Sequence, residues 1–263
     1  MHHTSPITHW QPKGNQTAEL SVIGEEPLSI RVQGKPYAVI MRTPGLEMEH
    51  AMGFCLAEGL IDTREDIKTI AFCDGEDTNT ITVTLQEDSL RRVGPNLDRR
   101  GYISQSSCGI CGKEIVADLV SQIQPLLRTT RLDTARSYGR LLRLFEHQPL
   151  RKKTQAAHAA AIYDAEFQLL AAAEDVGRHN ALDKAVGKLV QADRLSGAAL
   201  LTLTSRLSYE MVQKAARAEI PVVLAVSRPT ELAVSLADRL GLTIACSDRG
   251  KGLYIFTHPH RLV

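Results

Sequence analysis

At roughly 150 residues per domain, the 263-residue chain suggests one large or two modest domains, with a core that needs no disulfide staples. With 43% apolar and 23% charged residues, 18 Gly and 11 Pro, the composition excludes disordered, collagen-like and miniature disulfide-framework classes. A net charge of +1 supplies no global field for nucleic acid or an anionic membrane, so an anion-binding surface has to be built locally. The first residues, MHHTSPITHWQPKGNQT, lack an apolar signal region, and no run of 18 apolar residues occurs, so the expectation is a cytoplasmic protein with no membrane or nucleic-acid partner.

In chain order, residues 1–19 are polar and aperiodic and read as a flexible tail. Leu28–Val32 and Tyr37–Met41 read as a hairpin turning at Gly34-Lys35. Met48, Met52, Leu56 and Leu60 recur every four residues and predict an amphipathic helix ending near Gly59. Strands follow at Ile67–Cys73 and Asn79–Leu85, the latter alternating Ile81, Val83 and Leu85 with threonines. The charged stretch from Gln86 to Gln105 reads as a mobile surface segment, and Ile115, Leu119, Val120 and Ile123 predict a helix from Lys113. Residues 20–127 are thus an α+β domain.

Residues 128–263 read as a second, α/β domain. After a helix over Leu132–Phe145, strands are predicted at Ala159–Tyr163, Phe167–Ala173, Ala198–Leu203, Pro221–Val226, Leu242–Cys246 and Leu253–Phe256. Between them fall helices capped by Asn180, over Ser208–Ala218, and from Thr230 to Leu240, the last burying Leu232, Ala233, Leu236 and Ala237 before Gly241. Such alternation predicts a mixed, mainly parallel sheet in a layered α/β domain.

Ligands of open α/β sheets lie beyond the carboxyl ends of the strands, where helix N-termini present unpaired N–H groups. Past successive predicted strands come Arg178 with His179, Arg206, Arg228, and the segment Ser247-Asp248-Arg249-Gly250-Lys251-Gly252. Four strand ends each carry an arginine, a side chain that binds phosphate bidentately, so their arrangement points to a phosphate-rich ligand such as a nucleotide. The bland reading is four ordinary loop arginines. His158, before an apolar strand, and His179 are secondary candidates, and Asp183 reads as part of a helix cap.

Five cysteines form no secreted framework, and Cys108-Gly109-Ile110-Cys111 is the chemical constellation among them. Flanking glycines and a helix starting near Lys113 favour accessible thiols with thiolate character. Structural zinc needs four ligands, and no second Cys-x-x-Cys exists; a redox dithiol normally follows a strand, whereas charged loop precedes this one. Sulfur transfer, in which a thiolate takes up sulfane sulfur as a persulfide, fits an exposed loop better. Cys55, Cys73 and Cys246 lie in apolar patterns and read as small buried hydrophobes. A zinc nucleobase deaminase is excluded because it needs His-x-Glu and Pro-Cys-x-x-Cys, and neither occurs at His158 or Cys108.

From about Glu25 onward the chain resembles the formate dehydrogenase accessory sulfurtransferase family, FdhD/NarQ, through EEPLSIRVQGKPYAVIMRTPG, GFCLAEGLI, SSCGICGKE, HAAAIYD, EDVGRHNALDKAVGKL, SRLSYEMVQKAA, IPVVLAVSRPTELAV and THPHRL. The resemblance implies a three-layer, cytidine deaminase-like C-terminal domain beside the smaller α+β domain. It implies a cytoplasmic carrier, with no tightly held metal of its own, that takes sulfur from a cysteine desulfurase. The sulfur acceptor it implies is the bis-molybdopterin guanine dinucleotide molybdenum cofactor, gripped by its guanine nucleotide, for use by formate dehydrogenase. It allows a homodimer. Cys108 matches the family's persulfide carrier, Cys111 its partner, and Ser247–Gly252 the segment associated with the cofactor. The chain departs from the family at Thr154-Gln155-Ala156-Ala157 and at the start of the 247–252 segment, which lacks an aromatic residue.

Overall fold

The structure, a computed structural model, describes residues 2–73, 78–99 and 123–263. Residues 2–19, expected as part of an aperiodic tail, instead lie in an antiparallel two-stranded ribbon of β1 (His2–Gln11) and β2 (Gly14–Ile23). Most of its side chains on both faces remain solvated, so the sequence shows no apolar alternation to announce the strands.

The remainder of the N-terminal half holds a four-stranded sheet in the order β4 (Lys35–Arg42), β3 (Glu26–Val32), β6 (Thr80–Leu85), β5 (Ile67–Phe72). The β3–β4 turn sits one residue earlier than expected, at Gln33-Gly34, where both residues have positive φ and the glycine supplies the left-handed freedom the turn needs. Alternation in β6 buries Ile81, Val83 and Leu85 as expected. Helix α1 (Glu47–Ala57) follows the hairpin and ends before Gly59, whose φ of 71° closes it.

The charged stretch after β6, expected as a surface loop, forms helix α2 (Glu87–Arg99). Its first turn is anchored by Ser89, which donates to Asp66 at 2.5 Å, and Val93 is buried. Cys108, Cys111 and the helix expected from Lys113 lie outside the described residues.

The C-terminal half is a six-stranded sheet in the order β12 (Leu253–Ile255), β11 (Thr243–Ser247), β10 (Val222–Ala225), β9 (Leu200–Leu203), β7 (His158–Tyr163), β8 (Leu169–Asp175). Strands β8 to β11 point one way, while β7, inserted between β8 and β9, and edge strand β12 run opposite. The sheet is therefore mixed but not mainly parallel: adjacent strands pair antiparallel wherever β7 or β12 takes part.

On one face lie α5 (Arg178–Gln191), α6 (Tyr209–Arg217) and α7 (Glu231–Arg239); on the other lie α3 (Thr134–Leu142) and a 3₁₀ turn at Leu144–His147. This is the expected three-layer order. Helix α7 is capped as expected, the Thr230 hydroxyl accepting from Ala233 N at 3.3 Å. Leu232, expected to be buried, is 56% exposed because only Ala233, Leu236 and Ala237 of that helix face the sheet. Short helix α4 (Pro149–Thr154) precedes β7, and Glu174 caps it by accepting from the Leu150 and Arg151 amides at 2.7 and 2.8 Å.

The two halves share one core. Leu28, Ile81, Met52 and Leu56 from the first half pack in the same cluster as Leu182, Val186, Val212 and Val223 from the second. Helices α1 and α5 cross so closely that a methyl group at Gly53 would collide with the Asp183 carbonyl, and one at Gly187 with the Glu49 carbonyl. No helix among the described residues is long and apolar enough to cross a membrane.

Candidate functional site at the sheet's ligand edge

Because β8, β9, β10 and β11 run the same way, their carboxyl ends lie along one edge of the sheet. Antiparallel β7 brings its first residue, His158, to that edge opposite Asp175. The site residues expected from sequence outside Cys108 and Cys111 therefore converge: His158, Arg178, His179, Arg206, Arg228 and the 247–252 turn all occupy this edge.

Local backbone order fixes several of them. The loops after β9 and β10 are joined by a parallel bridge between Leu207 and Pro229, reinforced by Thr230 N donating to Leu207 O at 3.0 Å. Arg206 and Arg228 each directly precede a bridged residue, which sets the two exposed guanidinium-bearing positions side by side in register. Arg228 lies over the Tyr254 ring, 5.5 Å from its centroid. Sequence reasoning missed Tyr254, which reads only as a strand residue until β12 folds back beside β11. Asp248, beside the Tyr254 hydroxyl, raises that hydroxyl's pKa.

The turn between β11 and β12 is closed by Asp248 N donating to Gly252 O and Lys251 N donating to Asp248 O, both at 2.8 Å. Arg249 and Gly250 have φ of 46° and 90°, a left-handed stretch that leaves Arg249, Gly250 and Lys251 exposed. Successive amides in such turns form concave anion seats.

At the other end of the edge, His158 Nδ1 lies 3.3 Å from the Thr204 hydroxyl, which also accepts from Ala159 N at 2.9 Å. Burial first, then the charges of Arg178 and Arg151, lower the His158 pKa and keep the ring neutral. His179 Nε2 lies 2.6 Å from Glu210 Oε2, and this hydrogen bond holds the Glu210 carboxyl below its usual range. Glu210, supplied by α6, is a second residue that sequence reasoning missed; only the fold brings α6 against the start of α5.

Two expectations near this edge are corrected. Helix α5 starts after Gly177, not Asn180: Asn180 is buried and donates to Met41 O at 2.8 Å and Asp175 Oδ1 at 2.9 Å. Asp183 caps nothing and instead receives Lys214 Nζ at 2.8 Å on both oxygens. Of the lone thiols, Cys55 and Cys246 are buried as expected, and burial pushes both thiol pKa values up. Cys73 is exposed, one residue past the end of β5, with Sγ 3.0 Å from the Thr82 hydroxyl.

The FdhD/NarQ family model matches residues 23–263. The chain belongs to the FdhD/NarQ family. It is 39% identical over 251 residues to a protein of Mycobacterium bovis named sulfur carrier protein FdhD, covering 90% of each chain. A Xanthomonas campestris pv. campestris relative with the same name is 38% identical over 249 residues, which cover 94% of this chain and 87% of that one. Among solved structures, a Desulfotalea psychrophila protein provisionally assigned as a formate dehydrogenase accessory protein superposes with a TM-score of 0.79 at 25% identity, over 100% of this chain and 99% of that one.

The EDVGRHNALDK run on which the family resemblance leaned has a structural task as well as a place at the edge. Asp175 is fully buried and accepts from Thr43 N, Gly177 N, Asn180 Nδ2 and Lys184 Nζ at 3.0, 2.8, 2.9 and 2.6 Å. Lys184 also donates to Thr43 O at 2.6 Å, and Val176 N to the Thr43 hydroxyl at 3.0 Å. The run therefore clamps the end of β4 to the start of α5. Within it, Arg178 and His179 are the members turned over to the ligand edge.

Proposed function

We propose that this chain is a cytoplasmic sulfur carrier that accepts persulfide sulfur on Cys108 from a cysteine desulfurase. Its acceptor is the bis-molybdopterin guanine dinucleotide molybdenum cofactor used by formate dehydrogenase. The names of the relatives support the carrier role. The observation that carries the choice of acceptor is the single edge at which Arg178, Arg206, Arg228 and Arg249 meet the 247–252 turn. The acceptor is cargo, and its two guanine nucleotide tails bear pyrophosphates. Guanidinium groups and turn amides are the donors such anions require, and the Tyr254 ring beside Arg228 offers a flat apolar face to a purine.

In the uptake step the Cys108 thiolate attacks the outer sulfur of the desulfurase persulfide. A new S–S bond forms on Cys108, the old one breaks, and the desulfurase cysteine leaves as thiolate. A chaperone that held the cofactor without moving sulfur would use the same edge and leave the thiols idle. Incubation with a cysteine desulfurase and free cysteine is therefore expected to add the mass of one sulfur atom, removable by reductant. Cys108→Ala abolishes the adduct while guanine nucleotide binding persists; an unmodified wild-type chain overturns the carrier reading. Arg178→Ala, Arg228→Ala and Arg249→Ala are each expected to weaken guanosine diphosphate binding by about 1 to 3 kcal/mol in calorimetry. Unchanged affinity in all three removes the edge as the site.

A further inference from the structure

The ligand edge is rich in cations, yet it holds a carboxylate set directly against a histidine. His179 is the second residue of α5 and Glu210 the second residue of α6, so the pair joins the first turns of two helices that both begin at this edge. A glutamate in a first turn is ordinarily explained by the helix dipole alone. Beside an anion site it needs a further reason, because a negative charge repels phosphate.

The contact with His179 supplies that reason. At 2.6 Å from Glu210 Oε2, the ring nitrogen Nε2 carries a proton, since a carboxylate can only accept. Both side chains are largely covered, so solvent screens the pair less than on an open surface. Among the described residues nothing hydrogen-bonds the other ring nitrogen, Nδ1. In the neutral ring Nδ1 is a lone pair that repels phosphate; with a second proton it becomes a donor. The other charged groups around the ring do not replace Glu210. Asp183, one turn further along α5, is taken up by Lys214 of α6, and Asp175 at the end of β8 by Lys184. Arg178 is a cation, and His158 of β7 is kept neutral first by burial and then by Arg178. Glu210 is therefore the acidic group left to favour a second proton on His179.

We propose that Glu210 is a positioning residue for the nucleotide site: it holds the Nε2 proton of His179 and so makes the ring an imidazolium whose Nδ1 donates to the ligand's phosphates. The inference rests on the reading of this edge as the guanine nucleotide site. The second proton comes from solvent as the phosphates arrive, so nucleotide binding and proton uptake are linked. Opposite signs follow for Glu210→Gln. Were Glu210 a bystander, removing its charge would leave guanosine diphosphate binding unchanged or tighten it; acting through His179, its removal weakens binding.

The test is calorimetry of the full chain with guanosine diphosphate at about pH 7.5, where the nucleotide's phosphates have shed nearly all their protons. Repeating the titration in buffers of differing ionisation enthalpy counts the protons bound. The wild-type chain is expected to take up a measurable fraction of a proton, at most about one per nucleotide. E210Q and H179Q each lose most of that uptake and bind guanosine diphosphate at least fivefold more weakly, while guanosine, which has no phosphate, changes less than twofold. In the H179Q chain, adding E210Q costs nothing further. A merely structural tie between α5 and α6 would lower the melting temperature and leave the proton count alone. Absence of proton uptake by the wild-type chain overturns the proposal, as does E210Q binding guanosine diphosphate as tightly as wild type or more so. Uptake that survives in H179Q and disappears in H158Q overturns it too. A wild-type chain with no affinity for guanosine diphosphate is a different result: it removes the edge itself as the nucleotide site, and this inference with it.

Discussion

Asp175 shows how one side chain can hold two halves of a chain together. Its carboxylate meets four donors and balances the buried Lys184 ammonium, whose pKa burial lowers and Asp175 raises. Asp175→Asn leaves that ammonium without a counter-charge, and the expected loss is about 3 to 5 kcal/mol in urea denaturation of the full chain. A loss below about 1 kcal/mol would mean that Lys184 finds another partner. His50, fully buried on α1, is kept neutral first by burial and then by the charges of Lys184, Lys214 and Arg42. The folded chain therefore resists a proton that the unfolded chain takes up near pH 6.5. Stability is complete above that pH and declines below it, with His50 contributing up to about 1.4 kcal/mol per pH unit. Denaturation midpoints between pH 7.5 and 5.5 are expected to drift less in His50→Gln; an identical drift would assign the acid sensitivity elsewhere, His158 being the next group with a lowered pKa.

Among elements, the crossing of α1 and α5 is the tightest constraint. Gly53 and Gly187 let the two backbones touch, and each lies within an element whose periodicity by itself would accept alanine. Gly187→Ala must push Glu49 and its helix away, at a cost of roughly 1 to 3 kcal/mol or more. Gly139→Ala, in α3 with open space around it, is the control and is expected to gain up to about 1 kcal/mol from helix propensity. Thermal melts of the two variants should move in opposite directions; a shift of the same sign in both would deny the close crossing. Elements with one buried face were legible in sequence: β6 through its alternation, α7 through its Thr230 cap and Gly241. The β1–β2 ribbon was not, because most of its side chains on both faces stay solvated; in α2, Leu90 and Val93 do stand at helical spacing and pack on the core, but the surrounding charges and Gly94-Pro95 read as loop.

For the whole molecule, a core cluster shared by the two halves predicts that they unfold together. The buried face of α5 is covered by α1, and Gln213 of α6 donates to Ala57 O at 3.0 Å, so each half completes the other. Urea unfolding is expected as a single transition, with far-ultraviolet dichroism and hydrogen exchange in both α1 and α5 losing protection together. Separate midpoints for the two helices would restore the picture of two autonomous domains. Trp10, the one tryptophan, stands 72% exposed on the β1–β2 ribbon and reports that ribbon alone.

Residue types and their order were enough to determine the family, the layered α/β class and the arginine at each strand end, because these depend on local pattern and on which chemistry follows which strand. Tertiary structure decided which strands run together, and so which loops share an edge. Inserting β7 between β8 and β9 turned its first residue, His158, toward the arginines, and the return of β12 brought Tyr254 to Arg228. The same packing gave Asn180, Asp183 and Lys184 their buried partners and carried Glu210 to His179. Such pairings join residues far apart in the chain, and a period of two or 3.6 residues holds no information about a contact closed by another element.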